Sequence, residues 1–252
     1  MSLQLGTHKV LLAIARNQWH RLRGGPRRGG HRWSKAESEE ARLHIAEIVG
    51  FLAPHVGSIA GQVGLEIGPG DHLGVCRAFL DAGARRMYAV EPFATNSEQS
   101  GVVVIGSGVE DLQLPEPIDF AVSNDVLEHV ADVRAAFRRV FLLLKPGGVF
   151  VSNIDLRGHN CFSDQQRPLG FLTCPDWLYS LMLSHVVTAN RVPVGEHVAA
   201  ARDAGFEVEH VGALARASSD YVAEVRQHLL PRFRDIDDLD VLQVLIVARK
   251  PA

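Results

Sequence analysis

The spacing of apolar residues changes along this chain near residue 63. From there on, short apolar runs of strand length alternate with stretches whose apolar residues recur at helical intervals. The runs lie at 63–67, 86–90, 102–105, 120–123 and 149–154, and the helical stretches at 72–82 and 132–144. Such alternation is typical of βαβ units around a buried parallel sheet. The pattern therefore predicts an α/β fold.

The two ends of the chain extend this pattern. A helical stretch, Gly195–Ala204, and two apolar runs, Phe206–Val211 and Leu239–Ala248, follow near the C-terminus. Near the N-terminus, Leu3–Leu22 has loosely helical spacing, and Ser34 with a glutamate three residues later predicts the capping box of a second helix.

That capping box consists of Ser34 and Glu37, and it lies just beyond a segment rich in glycine. Glycine and proline interrupt helical patterns, so a boundary near residue 35 is expected. We therefore divide the chain into an N-terminal arm, residues 1–35, and a main domain, residues 36–252.

Charge separates these two parts. Residues 1–35 contain eight Lys or Arg and no acid, which leaves 18 basic and 29 acidic residues in the remainder. The arm is thus +8 and the main domain −11, which sums to the formal net charge of −3. A basic arm suits nucleic acid, an anionic membrane surface or an acidic partner, or it packs on its own acidic domain.

Composition excludes several classes of protein. No apolar run approaches the roughly 20 residues of a membrane-spanning helix, so no integral membrane association is expected. Three cysteines are an odd and sparse set that does not suit a disulfide framework. The first apolar stretch runs directly into charges, unlike a secretory signal. We expect a cytoplasmic protein.

The strongest local feature is a glycine turn after the first apolar run, in the segment Glu66-Ile67-Gly68-Pro69-Gly70. Gly68 and Gly70 permit positive φ and close approach of a ligand, and Pro69 stiffens the turn between them. Amides at the start of the next helix would face that ligand. In an open parallel sheet this turn lies at the carboxyl end of a strand, where ligands bind.

A carboxylate follows at the end of the next apolar run. Glu91 comes 21 residues after Gly70 and is followed by Pro92, which suits a strand end that turns away. A carboxylate there accepts hydrogen bonds from both ribose hydroxyls of a nucleoside. The turn and Glu91 indicate an adenosine-type cofactor, although a structural turn beside a solvated glutamate is the alternative.

Other nucleotide-binding classes lack their motifs here. The dinucleotide fingerprint needs a third glycine at position 73, which is Leu73. None of the three tyrosines has a lysine four residues later, so the Tyr/Lys pair of many short-chain dehydrogenases is absent. A P-loop is excluded because none of the four lysines follows a glycine.

Over roughly residues 60–250, the chain resembles the class I S-adenosylmethionine-dependent methyltransferases. Four blocks at family-like spacing carry the resemblance, at 66–70, 109–112, 120–130 and 144–149. It implies a Rossmann-like, doubly wound, seven-stranded sheet with a helical insertion near the acceptor site. It also implies that the last strand is antiparallel beside the fifth and forms a hairpin from 206–211 and 241–248.

The resemblance implies S-adenosylmethionine as the cofactor, bound along the segment Glu66 to Gly70. Gly68 and Gly70 would border its methionine end. Glu91, with Pro92 after it, would bind the ribose.

Three further residues follow from the same resemblance. Val109 and Glu110 would flank the adenine, and Asn124 would approach the methionine portion. Many relatives have an acid just before the adenine contact, where this chain has Gly108. We therefore expect backbone groups to contribute more of the adenine recognition.

A narrower resemblance covers residues 150–206, to uncharacterised bacterial methyltransferases. It is carried by three segments, which are 154–159 with the sequence Ile-Asp-Leu-Arg-Gly-His, 171–173 with Trp177, and the pair Asn190-Arg191. Relatives of this group are often found in pathways that modify sugars or secondary metabolites, which implies a small hydroxylated acceptor.

Methyl transfer to a hydroxyl needs alignment of the acceptor and removal of a proton. His129 follows the fourth predicted strand and His159 the fifth, both at the carboxyl edge of the sheet. We hypothesise that His159 with Asp155 forms the general base and that His129 lines the same pocket. Alternatively, His129 caps or packs a helix, and Asp155 holds a loop through backbone hydrogen bonds.

No metal site is predicted, because the spacing of His159, Cys161 and Cys174 matches no zinc pattern. Residues 160–200 form an insertion rich in aromatic side chains, which could roof an acceptor pocket or only pack as core. We expect a mixture of the two roles.

The function predicted is S-adenosylmethionine-dependent methyl transfer to a small molecule, at a hydroxyl of a sugar or secondary metabolite. One alternative is a non-catalytic binding or scaffold protein on this fold, and another is a macromolecule methyltransferase that uses the basic arm. Nucleic acid is not expected, because the main domain is acidic and residues 124–127 are Asn-Asp-Val-Leu instead of Asn-Pro-Pro-Tyr. The oligomeric state is left open, with a homodimer among the options.

Overall fold

The computed structural model describes residues 6–23, 38–70, 72–99, 101–186 and 188–252. Its helices are α1 (Thr7–Leu22), α2 (Glu39–Val56), α3 (Gly74–Asp81), α4 (Val133–Leu143), α5 (Asp176–Leu183), α6 (Val194–Ala204), α7 (Ser219–Arg226) and α8 (Pro231–Arg234). Its strands are β1 (Val63–Ile67), β2 (Arg86–Val90), β3 (Ser97–Gln99), β4 (Val102–Ile105), β5 (Ile118–Asn124), β6 (Leu144–Asp155), β7 (Glu207–Arg216) and β8 (Val241–Arg249).

These strands form one sheet in the order β3-β4-β2-β1-β5-β6-β8-β7. The neighbours from β4 to β6 pair in parallel, as the alternating pattern predicted. The predicted seven strands are all present, and the sheet has an eighth, β3, an exposed edge strand antiparallel to β4. Strand β3 consists of three polar residues without any apolar alternation, so the sequence pattern did not predict it.

The last strand occupies the predicted place. β8 lies between β6 and β7. The Gly147 amide donates to Lys250 O at 2.9 Å and the Leu156 amide to Leu242 O at 2.9 Å, so β6 and β8 run in opposite directions. The α/β, Rossmann-like, doubly wound class with an antiparallel last strand is confirmed.

Helices cover both faces of this sheet. On one face, α2 and α3 pack against apolar side chains of the strands, such as Met87, Phe120 and Val151. On the other face, Phe137 of α4 lies 5.5 Å from Phe150 of β6, measured between ring centroids. All residues of β1 are buried, so the chain leaves the core only at the carboxyl end of this strand.

The start of α2 differs from the sequence pattern. The predicted capping residues Ser34 and Glu37 lie outside the described residues. The described helix begins at Glu39, where the Ser38 hydroxyl accepts a hydrogen bond from the Ala41 amide at 3.1 Å. Serine in this role satisfies an amide that the helix itself leaves unpaired.

The chain divides into two compact units. The sheet unit comprises Gly30–Ile154, Glu196–Gly212 and Leu245–Ala252. The helical unit comprises Met1–Gly29, Asp155–Gly195 and Ala213–Val244. The helical unit has its own core, formed by side chains of α1, α5, α7 and α8 and the segments between them.

Two helices of the helical unit, α7 and α8, were not predicted from the sequence. Each buries only one or two apolar side chains, so neither produces a helical repeat that could be recognised. Within the described residues, every helix is too short or too polar to cross a membrane. The predicted division at residue 35 stays a prediction.

Candidate active site

The residues predicted to bind the cofactor follow four neighbouring strands of the sheet unit. Ile67 of β1 lies beside Val90 of β2 and Ser123 of β5, and Val90 lies beside Ile105 of β4. The residues that come next therefore form a row along one edge, in the order β5, β1, β2, β4. We call this row the carboxyl edge.

The glycine turn has the backbone that its sequence predicted. Gly68 and Gly70 have φ of 71° and 66°, in the left-handed region that favours glycine. The Gly68 amide donates to Val90 O at 2.9 Å, which ties the turn to β2. A Cβ at Gly68 would overlap the Val126 side chain. Glycine is thus needed here for packing within the protein as well as for the turn, a reason that sequence reasoning missed.

Glu66 is buried beneath this turn. Its Oε2 accepts a hydrogen bond from the Cys76 amide at 3.0 Å, in the first turn of α3. Burial is the largest influence on this carboxyl and raises its pKa from 4.5 to about 7, against the lowering effect of the Cys76 bonds. Glu66 therefore links β1 to the start of α3 through this hydrogen bond. Its contact with the cofactor stays a prediction.

Glu91 begins the loop after β2. Its amide donates to Ile105 O of β4 at 3.0 Å, and its Oε1 accepts a hydrogen bond from the Phe93 amide at 3.3 Å. The following Pro92 is exposed, as expected for a chain that leaves the sheet. The loop then packs closely on the next one, because a Cβ at Gly106 would overlap Ala94 O. Glu91 is therefore held between the glycine turn and the segment after β4.

The predicted adenine segment is a 3-10 turn, Val109–Asp111. Val109 is buried, and the backbone oxygen of Glu110 accepts a hydrogen bond from Arg139 Nε at 3.2 Å. Oε2 of Glu110 lies 2.9 Å from the position that a Cβ would occupy at Gly108. The Glu110 carboxylate thus lies beside Gly108, the position at which the resemblance expects an acid in many relatives.

Asn124 ends β5 within a network that the sequence analysis did not predict. Its Oδ1 accepts a hydrogen bond from Asn153 Nδ2 at 2.8 Å, and its Nδ2 donates to Asp125 Oδ2 at 2.9 Å. Asp125 has a φ of 54°, which aspartate tolerates better than most residues. Amide and carboxylate residues at the ends of adjacent parallel strands were the signal that could have revealed Asn153 and Asp125.

This order of residues fits S-adenosylmethionine. Along the carboxyl edge, Asn124, Gly68, Glu91 and Val109 follow one another in the order of strands β5, β1, β2 and β4. The molecule has its methionine, ribose and adenine parts in the same order. The ribose lies between the methionine and adenine parts, and Glu91 lies between Gly68 and Val109 in the row. A carboxylate at that place can accept hydrogen bonds from the ribose hydroxyls.

His129 belongs to the sheet unit, in the 3-10 turn Leu127–His129. Its amide donates to Val126 O at 2.8 Å, and its Nε2 lies 3.9 Å from Oε1 of the buried Glu128. His129 thus follows Asn124 closely in the chain, and its pocket-lining role stays a prediction.

His159 and Asp155 belong to the helical unit, at the end of β6 and just after it. Their closest atoms, Nε2 and Oδ2, are 3.9 Å apart, beyond hydrogen-bond distance. The Asp155 carboxylate is instead held by Arg157, with Nε to Oδ1 at 2.7 Å and Nη2 to Oδ2 at 2.8 Å. Burial lowers the pKa of His159, outweighing the opposite effect of Asp155, and Arg157 lowers it further. No sequence pattern indicated Arg157.

The insertion after β6 is mostly core. Phe162, Phe171 and Met182 are buried in the helical unit. Arg191 has a φ of 66°, and its side chain is only 4% exposed, with the guanidinium carbon 3.4 Å from the centre of the Tyr179 ring. These residues therefore have structural roles within their unit, and a roof over an acceptor pocket stays a prediction.

Comparison with known proteins agrees with this geometry. The family described as a methyltransferase domain matches residues 36–211, which is most of the chain. A curated relative, the ubiquinone biosynthesis O-methyltransferase of Nitrobacter winogradskyi, is 32% identical over 114 residues. That match covers 42% of this chain and 43% of the relative, so the chain matches less than half the length of the relative.

Two solved structures share the fold. An S-adenosylmethionine-dependent methyltransferase from Mesorhizobium loti has a TM-score of 0.54 and 20% identity, over 80% of this chain and 96% of its own. Phosphoethanolamine N-methyltransferase 2 of Haemonchus contortus, in complex with S-adenosyl-L-methionine, has a TM-score of 0.52 and 16% identity, over 86% of this chain and 58% of its own. The prediction of S-adenosylmethionine as the cofactor is confirmed at the level of the family. The chain belongs to the methyltransferase domain family, and it has the fold of the class I S-adenosylmethionine-dependent methyltransferases.

Proposed function

We propose that this chain methylates a hydroxyl oxygen of a small molecule, such as a sugar or a secondary metabolite, with His159 as the general base. The observation that carries the proposal is the lowered pKa of His159, which results mainly from burial. A histidine with a lowered pKa is neutral at physiological pH and can accept a proton.

Different residues bind the cofactor and accept the proton of the acceptor. When bound, the cofactor supplies a methyl group activated by a sulfonium. Glu91 and the glycine turn hold and orient it, which contributes the alignment that an in-line displacement needs. His159 would accept the hydroxyl proton as the oxygen bonds to the methyl carbon and the methyl–sulfur bond breaks, with S-adenosylhomocysteine as the leaving group. The Asp155 carboxylate 3.9 Å away would stabilise the resulting imidazolium. Arg157 keeps Asp155 in place, and His129 lines the pocket.

Two observations support oxygen as the methylated atom. A hydroxyl must lose its proton on methylation, so a neutral histidine is more useful for a hydroxyl than for an amine that is already deprotonated. The relative from Nitrobacter winogradskyi is by name an O-methyltransferase. Small-molecule acceptors are further supported by the resemblance carried by residues 150–206.

The test begins with isothermal titration of S-adenosylmethionine and S-adenosylhomocysteine. Wild type should bind both, and Glu91→Ala should bind both about 10 to 100 times more weakly, because hydrogen bonds to a charged group are lost. Glu98→Ala, which removes an exposed glutamate from the edge strand β3, is the control and should bind like wild type. No binding of either ligand to wild type would leave the scaffold alternative.

The second step measures S-adenosylhomocysteine release with a panel of sugars, phenols and other hydroxylated compounds, beside a matched panel of amines. Turnover confined to the hydroxylated compounds supports the proposal. Turnover with amines alone, or with RNA or protein alone, would contradict it while leaving the family assignment intact.

A further inference from the structure

Helix α1 exposes large apolar side chains along one side. Leu11, Leu12, Trp19 and Leu22 are between 52% and 82% exposed. With 3.6 residues per turn, these four side chains fall within about 100° of arc around the helix. Single exposed leucines are common on protein surfaces, but four large apolar side chains on one helical side are characteristic of a binding surface. We call these four residues the α1 surface.

The opposite side of α1 is fixed to the protein. Ala13 and Asn17 are buried, and Asn17 Nδ2 donates to Leu181 O of α5 at 2.9 Å. The His185 amide in turn donates to Asn17 Oδ1 at 2.7 Å. These hydrogen bonds of the buried Asn17 fix the rotation of α1 about its axis, so the α1 surface cannot turn inward. The helix α5 itself leaves Trp177 and Leu181 exposed.

The charged residues of α1 and its C-cap have one sign. Residues 7–23 contain Lys9, Arg16, Arg21 and Arg23 and no acid, within an arm that has eight basic residues and no acid. The guanidinium of Arg23 lies 3.9 Å from the centre of the Trp19 ring. An apolar side that carries a tryptophan and is bordered by cations is the composition of a helix that lies in a membrane interface.

We propose that α1 binds an anionic lipid surface, with the α1 surface inserted among the acyl chains and its basic side chains at the headgroups. Apolar burial and charge then act together, since each basic residue near an anionic bilayer strengthens binding about fivefold. The helix would lie along the membrane plane, in agreement with the finding that no helix in the described part of the chain can span a bilayer. Lipid binding by α1 does not depend on which substrate the protein methylates.

Charge argues against the two other occupants. A second copy of this chain, related by a two-fold axis, would bring the same cationic helix against itself. Nucleic acid would match the charge but would leave the leucines without an apolar partner, because its binding rests on phosphate contacts and stacked bases. An anionic lipid surface provides apolar acyl chains for the leucines of α1 and negative charge for its basic side chains.

The test uses the full-length protein and two kinds of unilamellar vesicle, one of phosphatidylcholine and one of equal parts phosphatidylcholine and phosphatidylglycerol. Wild type should sediment with the anionic vesicles, weakly or not at all with the neutral ones, and less at high salt. Leu11→Ser/Leu12→Ser should reduce binding at least about tenfold, as expected for loss of two inserted leucines. The control Leu43→Ser/Leu142→Ser changes two leucines that are 66% and 62% exposed elsewhere and should bind like wild type.

A second measurement reports insertion directly. The chain has three tryptophans, Trp19, Trp33 and Trp177. In a Trp33→Phe/Trp177→Phe background, the fluorescence of Trp19 should shift to shorter wavelength when anionic vesicles are added. The substituted residues Leu11, Leu12, Leu43, Leu142 and Trp177 are exposed. Thermal unfolding and circular dichroism verify that each variant is folded.

Several results would overturn the proposal. Failure of the wild type to sediment with anionic vesicles would overturn it, and so would equal binding by the two double variants. Concentration-dependent dimers that disappear in Leu11→Ser/Leu12→Ser, without vesicle binding, would assign the surface to a second copy. Retention of a short single-stranded RNA, without vesicle binding, would assign the arm to nucleic acid.

Discussion

The sheet unit and the helical unit hold their chemically important residues by different means. At the carboxyl edge, Gly68, Glu91 and Asn124 are placed by the register of parallel strands, through backbone hydrogen bonds such as Gly68 N to Val90 O. At the end of β6, the Asp155 carboxylate is held by a side chain, that of Arg157. Arg191, also in the helical unit, is placed by Tyr179 and Asp176.

This difference indicates which part of the molecule tolerates amino-acid substitutions. Strand register does not depend on particular side chains, so the carboxyl edge retains its form when surrounding residues change. A network of ion pairs, by contrast, changes when a single one of its side chains is substituted. This division suits a methyltransferase, in which the cofactor is constant and the acceptor differs between relatives.

The largest expected effect tests the chemistry of the helical unit. His159→Ala should lower turnover by about 10² to 10⁴, the usual contribution of a general base, with the affinity for S-adenosylmethionine unchanged. The unprotonated imidazole is the active form, and burial lowers its pKa. In wild type, the rate should therefore fall only below the ordinary histidine pKa of 6.5 as the pH decreases.

Steady-state kinetics between about pH 5 and pH 8 measure both expectations, because this window spans histidine titration. His210→Ala, at an exposed position on β7, is the matched control and should leave turnover unchanged. Full turnover in His159→Ala would remove this residue from catalysis and would break the comparison, since the helical unit would then hold no reacting group.

The next effect tests the backbone of the carboxyl edge. Gly68→Ala combines a positive φ with overlap of the new Cβ and Val126, and should cost about 2–4 kcal/mol of unfolding free energy. Gly61→Ala also has a positive φ, 75°, but its Cβ meets no atom within 4 Å, so it should cost only about 1–2 kcal/mol.

Urea unfolding measures the two losses, and Val126→Ala in the Gly68→Ala background should recover part of the larger one. Titration of S-adenosylmethionine should show weaker binding for Gly68→Ala alone. Equal losses for both glycines would mean that Val126 adds nothing, and that conformational freedom is the whole reason for glycine at position 68.

The same contrast explains what the sequence could reveal. Strands β1, β2 and β4 have the bounds that the apolar runs predicted, because a buried parallel strand is a continuous run of apolar residues. Gly68 and Glu91 were placed correctly in the fold because their spacing follows from strand, turn and helix lengths. Their order along the carboxyl edge needed only the sheet topology.

Side-chain networks gave no such signal. Arg157 lies two residues from Asp155 and holds its carboxylate with two side-chain hydrogen bonds, while His159 lies 3.9 Å away, yet any polar residue is compatible with the pattern of that loop. Arg232 and Asp176 are 56 residues apart and meet only in the folded chain. Spacing rules describe local periodicity, so ion pairs between distant segments lie beyond them.

A smaller effect tests how the buried carboxyl of the sheet unit responds to pH. Burial raises the pKa of Glu66 to about 7 in the folded protein, above its ordinary 4.5. Since the folded state holds this proton more tightly than the unfolded state, the contribution of Glu66 to stability is full below about pH 4.5 and is lost as the pH rises to about 7.

Glu66→Gln removes this titration but keeps an oxygen for the Cys76 amide. Relative to the variant, wild type should therefore lose up to about 3 kcal/mol of unfolding free energy between about pH 4.5 and pH 7. Urea unfolding over that range measures the difference, with Glu98→Gln on the exposed strand β3 as the control. A difference that stays constant with pH would show that Glu66 is ionised throughout.

The smallest effect tests whether every ion pair of the helical unit matters equally. Arg232 donates to both oxygens of Asp176, at 2.5 and 2.6 Å, but both side chains are more than half exposed. Arg232→Gln should therefore cost at most about 1 kcal/mol, because solvent and salt screen exposed pairs.

Asp176→Asn should cost more than Arg232→Gln, since it also removes the 3.0 Å ion pair with the buried guanidinium of Arg191. Urea unfolding of the two variants at low and high salt separates these contributions, because only the exposed pair should be sensitive to salt. If Arg232→Gln cost more than about 2 kcal/mol, its exposed pair would be as important as a buried contact. The helical unit would then be as intolerant of change as the carboxyl edge, and the freedom to vary its side chains would be lost.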